Sequence, residues 1–205
     1  MLLSETDRER IAGVIARIEE STAGEIVVAD VPTSDAYAEP RALAAGALAI
    51  LGGLWTYESV PLAPAWAIFA GQAVVAALVW ALAGWSPVLR RLLPASRLDA
   101  AVHARAQQLF LERGVTETRD RSGVLILVSE REHRVEILAD RGIHERVGVE
   151  EWRRDVRDLA DAIREGRAAQ GVIEIVERIG AQLAEAFPPR PDDVNELSDS
   201  VVRSS

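Results

Sequence analysis

Carboxylates are the groups in this chain with the strongest claim to chemistry. The stretch SGVLILVSEREHRVEILADRGI, residues 122–143, reads as two apolar strands joined by a charged turn and closed by Asp140, Arg141 and Gly142. Suppose the earlier strand EIVVADV, residues 25–31, runs parallel to the first of these, and the second returns antiparallel. The end of the last strand then lies beside the beginnings of the other two. Glu25, Asp120 and Asp140 gather at one edge of the sheet with Glu145 a few residues on, while Asp30, Glu130 and Glu132 collect at the opposite edge. Three or four oxygen donors on loops suit Ca²⁺ or Mg²⁺, hard cations that take carboxylates and backbone carbonyls. Gly142 would supply the turn that brings neighbouring carbonyls inward. A plainer reading makes Asp120 and Asp140 turn residues that hydrogen-bond the local backbone, with Arg119, Arg121 and Arg141 neutralising them. Spacing alone leaves both readings open.

Other chemistries are poorly represented. There is no G-x-S-x-G elbow, no H-E-x-x-H, no lysine for a phosphate loop and no G-x-G-x-x-G. His103, His133 and His144 fall on a helix, a turn and a loop without ligand spacing. DDVNELSD, residues 192–199, has scattered oxygen ligands but lacks the central glycine of an EF-hand loop, and reads as an acidic tail. The absence of cysteine removes disulfides, thiolate nucleophiles and thiolate-bound zinc. All 23 basic residues are arginine, and a net charge of −9 argues against nucleic-acid binding.

The elements that must position these groups follow from periodicity. SETDRERIAGVIARIEESTAG reads as an amphipathic helix with Thr6 and Glu9 as its capping box and Ile11, Val14, Ile15 and Ile18 on one face. After residue 93, Leu98, Val102, Leu109 and Phe110 form a second stripe, with Arg113-Gly114 as its end. EREH, residues 130–133, is short enough for an antiparallel hairpin. Two further helices place Val149, Trp152, Val156, Leu159 and Ile163, then Val172, Ile175, Ile179 and Leu183, at helical spacing. The tail from Pro188 holds three prolines and several acids and is expected to be loosely ordered.

Between these halves the character changes. ALAAGALAILGGLWTY, residues 42–57, carries no charge, and AWAIFAGQAVVAALVWALAGW, residues 65–85, is broken only by Gln72. A membrane span needs roughly 20 residues, so the second segment qualifies and the first is marginal. Trp55, Tyr57 and Trp66 bracket the connection and Trp85 stands at the far end, as interfacial aromatic belts do. Arg41 precedes the pair and Arg90, Arg91 and Arg97 follow it, whereas the connection carries only Glu58. Positive-inside counting therefore puts both outer ends in the cytoplasm. The N-terminus has no apolar core of signal-peptide length, and no cleaved secretory signal is expected.

These elements predict an α/β fold, a small mixed sheet flanked by helices with an inserted two-helix transmembrane hairpin. The two polar halves must share one sheet, because a lone strand cannot cover its edges. The expected segments are 1–40 (helix and strand), 41–93 (the hairpin), 94–187 (the rest of the domain) and 188–205 (the acidic tail).

The 122–143 run, Trp152, GVIEIVERIGAQLAEAFPP (171–189) and DDVNEL (192–197) together resemble the TPM-domain family, nearest its branch of small bacterial membrane proteins. The resemblance covers nearly the whole chain and implies an α/β sandwich. Relatives in that family include a thylakoid-lumen protein associated with photosystem II repair and an accessory protein of acetylcholine receptors. Some members are credited with acid phosphatase activity and some bind divalent cations through acidic loops. The family's acidic positions correspond best to Asp120 and Asp140. A LemA-like membrane partner is a further implication. Where many relatives have a Gly-Tyr-Gly-like turn, this chain has Asp140-Arg141-Gly142.

The leading expectation is thus a multi-pass inner-membrane protein presenting a polar domain to the cytoplasm as a binding or assembly module. Its expected partners are lipid and a membrane protein rather than nucleic acid, with Ca²⁺ or Mg²⁺ at Asp120, Asp140, Glu145 and Glu25. A metal-dependent acid phosphatase, with Arg121 or Arg141 clamping phosphate, is one alternative. A structural membrane protein without ligand is the other.

Overall fold

A computed structural model describes residues 2–60, 62, 64–144, 149–190, 196–197 and 200–203. In chain order the elements are α1 (Glu5–Glu19), β1 (Glu25–Val31), α2 (Ala38–Ser59), α3 (Ala65–Ala83), α4 (Ser86–Leu92), α5 (Ala95–Glu112), β2 (Gly123–Ser129), β3 (Arg134–Ala139), α6 (Arg141–His144), α7 (Val149–Arg164), α8 (Ala168–Ala186) and β4 (Val202–Arg203). They divide into two units: residues 2–34 with 98–203, and residues 35–97.

The first unit is built on a four-stranded sheet in the order β3-β2-β1-β4. β1 and β2 pair in parallel, Glu25 opposite Gly123 and Val31 opposite Ser129. β2 and β3 pair antiparallel, Val124 opposite Ala139. Every residue of β1 and β2 is buried, which is why neither shows the alternation of a half-exposed strand. Side-chain alternation sends Ile26, Val28, Val124, Ile126 and Val128 into one core, where Ile11 and Ile15 of α1, Leu159 and Ile163 of α7 and the stripe Val172, Ile175, Ile179, Leu183 of α8 meet them. The intervening residues Val27, Ala29, Val31, Leu125 and Leu127 enter a second core with Val102, Ala106 and Leu109 of α5. The sheet is covered on both faces, in a mixed α/β sandwich. The side chains of Val149 and Trp152 lie outside the described residues.

Two local readings are corrected. The capping box of α1 is formed by Ser4 and Asp7, not Thr6 and Glu9: Asp7 N–H donates to Ser4 Oγ at 3.1 Å and Ser4 N–H to Asp7 Oδ2 at 3.0 Å. The two pairs overlap in sequence, and the helix begins at the earlier one. The tail is not wholly loose, because β4 pairs in parallel with β1, Val202 opposite Ala29 and Arg203 opposite Asp30. A two-residue strand is too short to leave a periodic signal.

In the second unit α2 and α3 pack against each other. Gln72, the polar interruption of α3, lies against Gly53 so closely that a Cβ there would stand 1.7 Å from its Nε2. Arg41 stacks over Trp80 at 4.4 Å from the ring centroid and donates through Nη2 to the Trp80 carbonyl at 2.9 Å. Among the described residues one helix, α3, is long and apolar enough to cross a membrane. α2 is longer, but Glu39 and Arg41 in its first turns and Glu58 in its last dilute its apolar run, so the expected second span does not reach the same standard.

Candidate functional site

The register of the three long strands brings the sequence-predicted acids to one end of the sheet. Glu25 opens β1 opposite Gly123, and Asp140 follows β3 with its N–H donating to the Gly123 carbonyl at 2.9 Å. Asp120 stands three residues before β2. The connection is tight: Gly142 N–H donates to the Arg121 carbonyl at 3.1 Å. A Cβ at Gly142 would stand 2.5 Å from the Asp120 carbonyl oxygen and 2.8 Å from that of Arg121. Arg121 is held in a left-handed conformation at φ 54°.

Each carboxylate at this end has a partner of its own. Asp140 Oδ1 accepts from the Arg141 N–H at 2.7 Å, and the buried Oδ2 faces Arg121 Nη1 at 3.7 Å. Asp120 is in an ion pair with Arg190 from the tail. Glu25, 6% exposed, accepts from the Glu196 N–H at 3.0 Å, and Glu196 in turn accepts from the Arg119 N–H at 2.9 Å. Arginine and backbone N–H groups thus engage one oxygen of each of these carboxylates, while among the described residues the buried Asp140 Oδ2 takes no hydrogen bond and has only the longer ion pair with Arg121. Among the described residues no group of three or more His, Cys, Asp or Glu is arranged to hold a metal ion. Glu145 lies outside the described residues. Arg121, Asp140 and Arg141 line a surface pocket of about 260 Å³ at this end.

The opposite end holds the more deeply buried polar groups. Asp30, 1% exposed, is paired with Arg8 at 3.0 Å, and the same guanidinium reaches Glu5 at 2.7 Å and the Leu3 carbonyl at 3.0 Å. Burial pushes the Asp30 carboxyl above the usual carboxylate range, against the opposing effect of the Arg8 hydrogen bond. Glu132 is fully buried and accepts from Ser129 Oγ at 2.5 Å, Thr33 Oγ1 at 3.0 Å and Ser34 N–H at 3.2 Å. Ser34 Oγ lies 2.7 Å from Ser129 Oγ. Glu130 accepts from the Leu2 N–H at 2.9 Å. A serine beside a carboxylate has the composition of a nucleophile and its base, but both side chains here are sealed from solvent and saturated by one another. Their evident effect is to fasten the chain where it leaves β1.

Sequence reading placed Asp30, Glu130 and Glu132 at this end but missed Arg8. The signal was available: position 8 continues the stripe 8, 11, 15, 18 of α1, and a charge on an apolar face requires a buried partner.

The comparisons agree with this architecture. Residues 92–182 match the TPM domain family. The solution NMR structure of the BA42 protein from the psychrophilic bacterium Bizionia argentinensis is similar with a TM-score of 0.61, at 20% identity, over 98% of this chain and 95% of that one. At that identity the likeness speaks for the fold alone. No curated protein sequence matches the chain.

Proposed function

Starting from the match of residues 92–182 to the TPM domain family, we propose a membrane-anchored binding or assembly module whose polar domain works at the cytoplasmic face. The observation that carries this reading is the placement of exposed apolar surface. Among the described residues every exposed large hydrophobic side chain except Leu111 falls between Leu43 and Leu92. A contiguous apolar surface of that kind requires a lipid or protein covering. α2, at 22 residues, is about 33 Å long, enough for a bilayer core of about 30 Å with its charged residues at the two interfaces. Arg41, Arg90, Arg91 and Arg97 against Glu58 favour the orientation with both outer ends in the cytoplasm.

The polar domain would act by contact rather than by turnover, since its buried carboxylates are already engaged with arginines, hydroxyls and N–H groups. A divalent cation at Asp120, Asp140, Glu25 and Glu145 belongs to this reading as a competitor of Arg190 and Arg121. A LemA-like membrane protein is its proposed partner. Co-purification in mild detergent tests it: a clean monomer, recovered without partner under several conditions, would remove the assembly role.

A second reading, phosphatase activity, is favoured by the pocket of Arg121, Asp140 and Arg141, since two guanidiniums suit a phosphate. Hydrolysis of a chromogenic phosphoester that disappears with Asp140→Ala supports it. Unchanged hydrolysis in that variant excludes the pocket.

A further inference from the structure

At the base of the helical hairpin a pocket of about 170 Å³ is lined by Pro40, Arg41 and Ala44 of α2, Ala83 of α3, and Leu89, Leu92 and Leu93 at the end of α4. Arg41 is the one charged side chain in a wall that is otherwise aliphatic. Its orientation is set by the indole of Trp80, over which the guanidinium stacks, and by the Trp80 carbonyl, which takes bonds from Nε at 3.3 Å and Nη2 at 2.9 Å. Arginine held flat against a ring on one side keeps donors for an oxyanion on the other. Arg90 and Arg91 follow on α4, and among the described residues the buried Nη1 of Arg90 has no hydrogen-bond partner.

α4 itself is shaped for an interface. Leu89 is buried, Leu92 is 59% exposed and the preceding Trp85 is 65% exposed, with Arg90 and Arg91 between the leucines. Apolar residues that enter the acyl region beside arginines that remain among headgroups define a helix lying in the plane of the membrane surface.

We infer that Arg41 and the aliphatic pocket between α2, α3 and α4 hold one anionic phospholipid, its phosphate on the Arg41 guanidinium and the start of an acyl chain against Ala44, Ala83, Leu89 and Leu92. Charge complementarity selects this occupant. The chain as a whole carries −9 and is repelled by an anionic surface, so a single arginine facing an apolar pocket, with Arg90 and Arg91 nearby in sequence on α4, is matched to a single headgroup rather than to a broad negative field. A peptide segment would satisfy the aliphatic wall but leave the Arg41 guanidinium without an anion. The inference rests on the membrane reading above and adds a ligand to it.

The test uses the full chain. Flotation is measured with phosphatidylcholine vesicles and with equimolar phosphatidylcholine–phosphatidylglycerol vesicles, and native mass spectrometry follows lipid retained from an equimolar mixed micelle. The expected result is flotation with both vesicles and preferential retention of one phosphatidylglycerol. That preference should fall about fivefold in Arg41→Gln, the effect of about 1 kcal/mol per arginine at a membrane surface, and be kept in Arg41→Lys. Ala44→Phe, which fills the pocket and leaves every charge in place, should also lose the retained lipid; it covers the case in which Arg41→Gln disturbs the hairpin, read from helical circular dichroism. Glycerol phosphate without acyl chains should not displace the lipid. Flotation with equal retention of the two lipids, or a preference unchanged in both Arg41→Gln and Ala44→Phe, overturns the lipid site and leaves the membrane reading standing. Absence of flotation with either vesicle overturns both.

Discussion

Arg8 and Asp30 form an ion pair at 3.0 Å with their side chains 7% and 1% exposed, one from the apolar face of α1 and the other from a strand buried on every side. Each charge is tolerable only because the other is present. Arg8→Met should therefore destabilise the domain by about 3–5 kcal/mol, the usual consequence of leaving an uncompensated buried charge. Arg8→Met combined with Asp30→Leu should recover most of that loss. Urea midpoints of the two variants decide it, and equal instability would mean that the pair is needed for more than mutual neutralisation.

The same pair gives stability a particular pH dependence. Burial raises the Asp30 carboxyl in the folded chain, with the Arg8 hydrogen bond opposing. The native state consequently holds this proton more tightly than the unfolded chain. The stability so gained is complete below the ordinary carboxylate value of about 4 and is lost as pH rises through the higher folded value. Asp30→Asn removes that component. From pH 4 upward the stability of the parent relative to Asp30→Asn should decline until the raised pKa has been passed. A difference between the two that is flat across that window contradicts the assignment.

Gly142 is required for space rather than for backbone freedom. The Cβ of Gly142→Ala would stand 2.5 Å and 2.8 Å from two backbone oxygens of the loop before β2. Backbone cannot rotate away as a side chain can, so a loss of about 1–3 kcal/mol is expected. A thermal midpoint indistinguishable from the parent would show that the loop moves freely.

Arg190 stands where a cation would have to come. Its removal in Arg190→Ala should cost less than about 1 kcal/mol of stability, as partly exposed ion pairs do, and should tighten Ca²⁺ binding measured by calorimetric titration. Asp120→Asn in the same background should abolish the gain. Identical titrations for Arg190→Ala and the parent would dismiss the cation from this end of the sheet.

The absence of cysteine makes membrane orientation directly measurable. Ser59→Cys, at the end of α2, should react with an impermeant maleimide on intact cells, and Ser21→Cys, beyond the end of α1, only after permeabilisation. The reverse pattern would invert the topology, and protection of both would place the connection inside.

The three long strands and their directions were legible because β1 and β2 are short, β-branched and largely apolar runs and because a short charged turn forces β3 to return beside β2. The convergence of Glu25, Asp120 and Asp140 followed from those directions alone. Their partners did not follow. Arg190 lies 70 positions from Asp120, and Arg8 lies 22 from Asp30. Periodicity determines which face a residue occupies, not which distant arginine meets it there. β4 escaped detection because two residues carry no period, and its pairing depends on an edge of β1 that exists only once the sheet has formed.

The adjacency of β1 and β2 has a consequence for the order of events at the ribosome. β1 is complete at Val31, but its neighbour begins only at Gly123. At about 5–20 residues per second, roughly 5 to 20 seconds of synthesis separate them. During that interval a largely apolar strand waits without this partner while α2 and α3 are synthesised. The sheet closes only after that apolar helical pair has been made. Under the membrane reading proposed above, a delay in delivery would therefore be felt first as aggregation through an unpaired β1, before any defect in the finished domain.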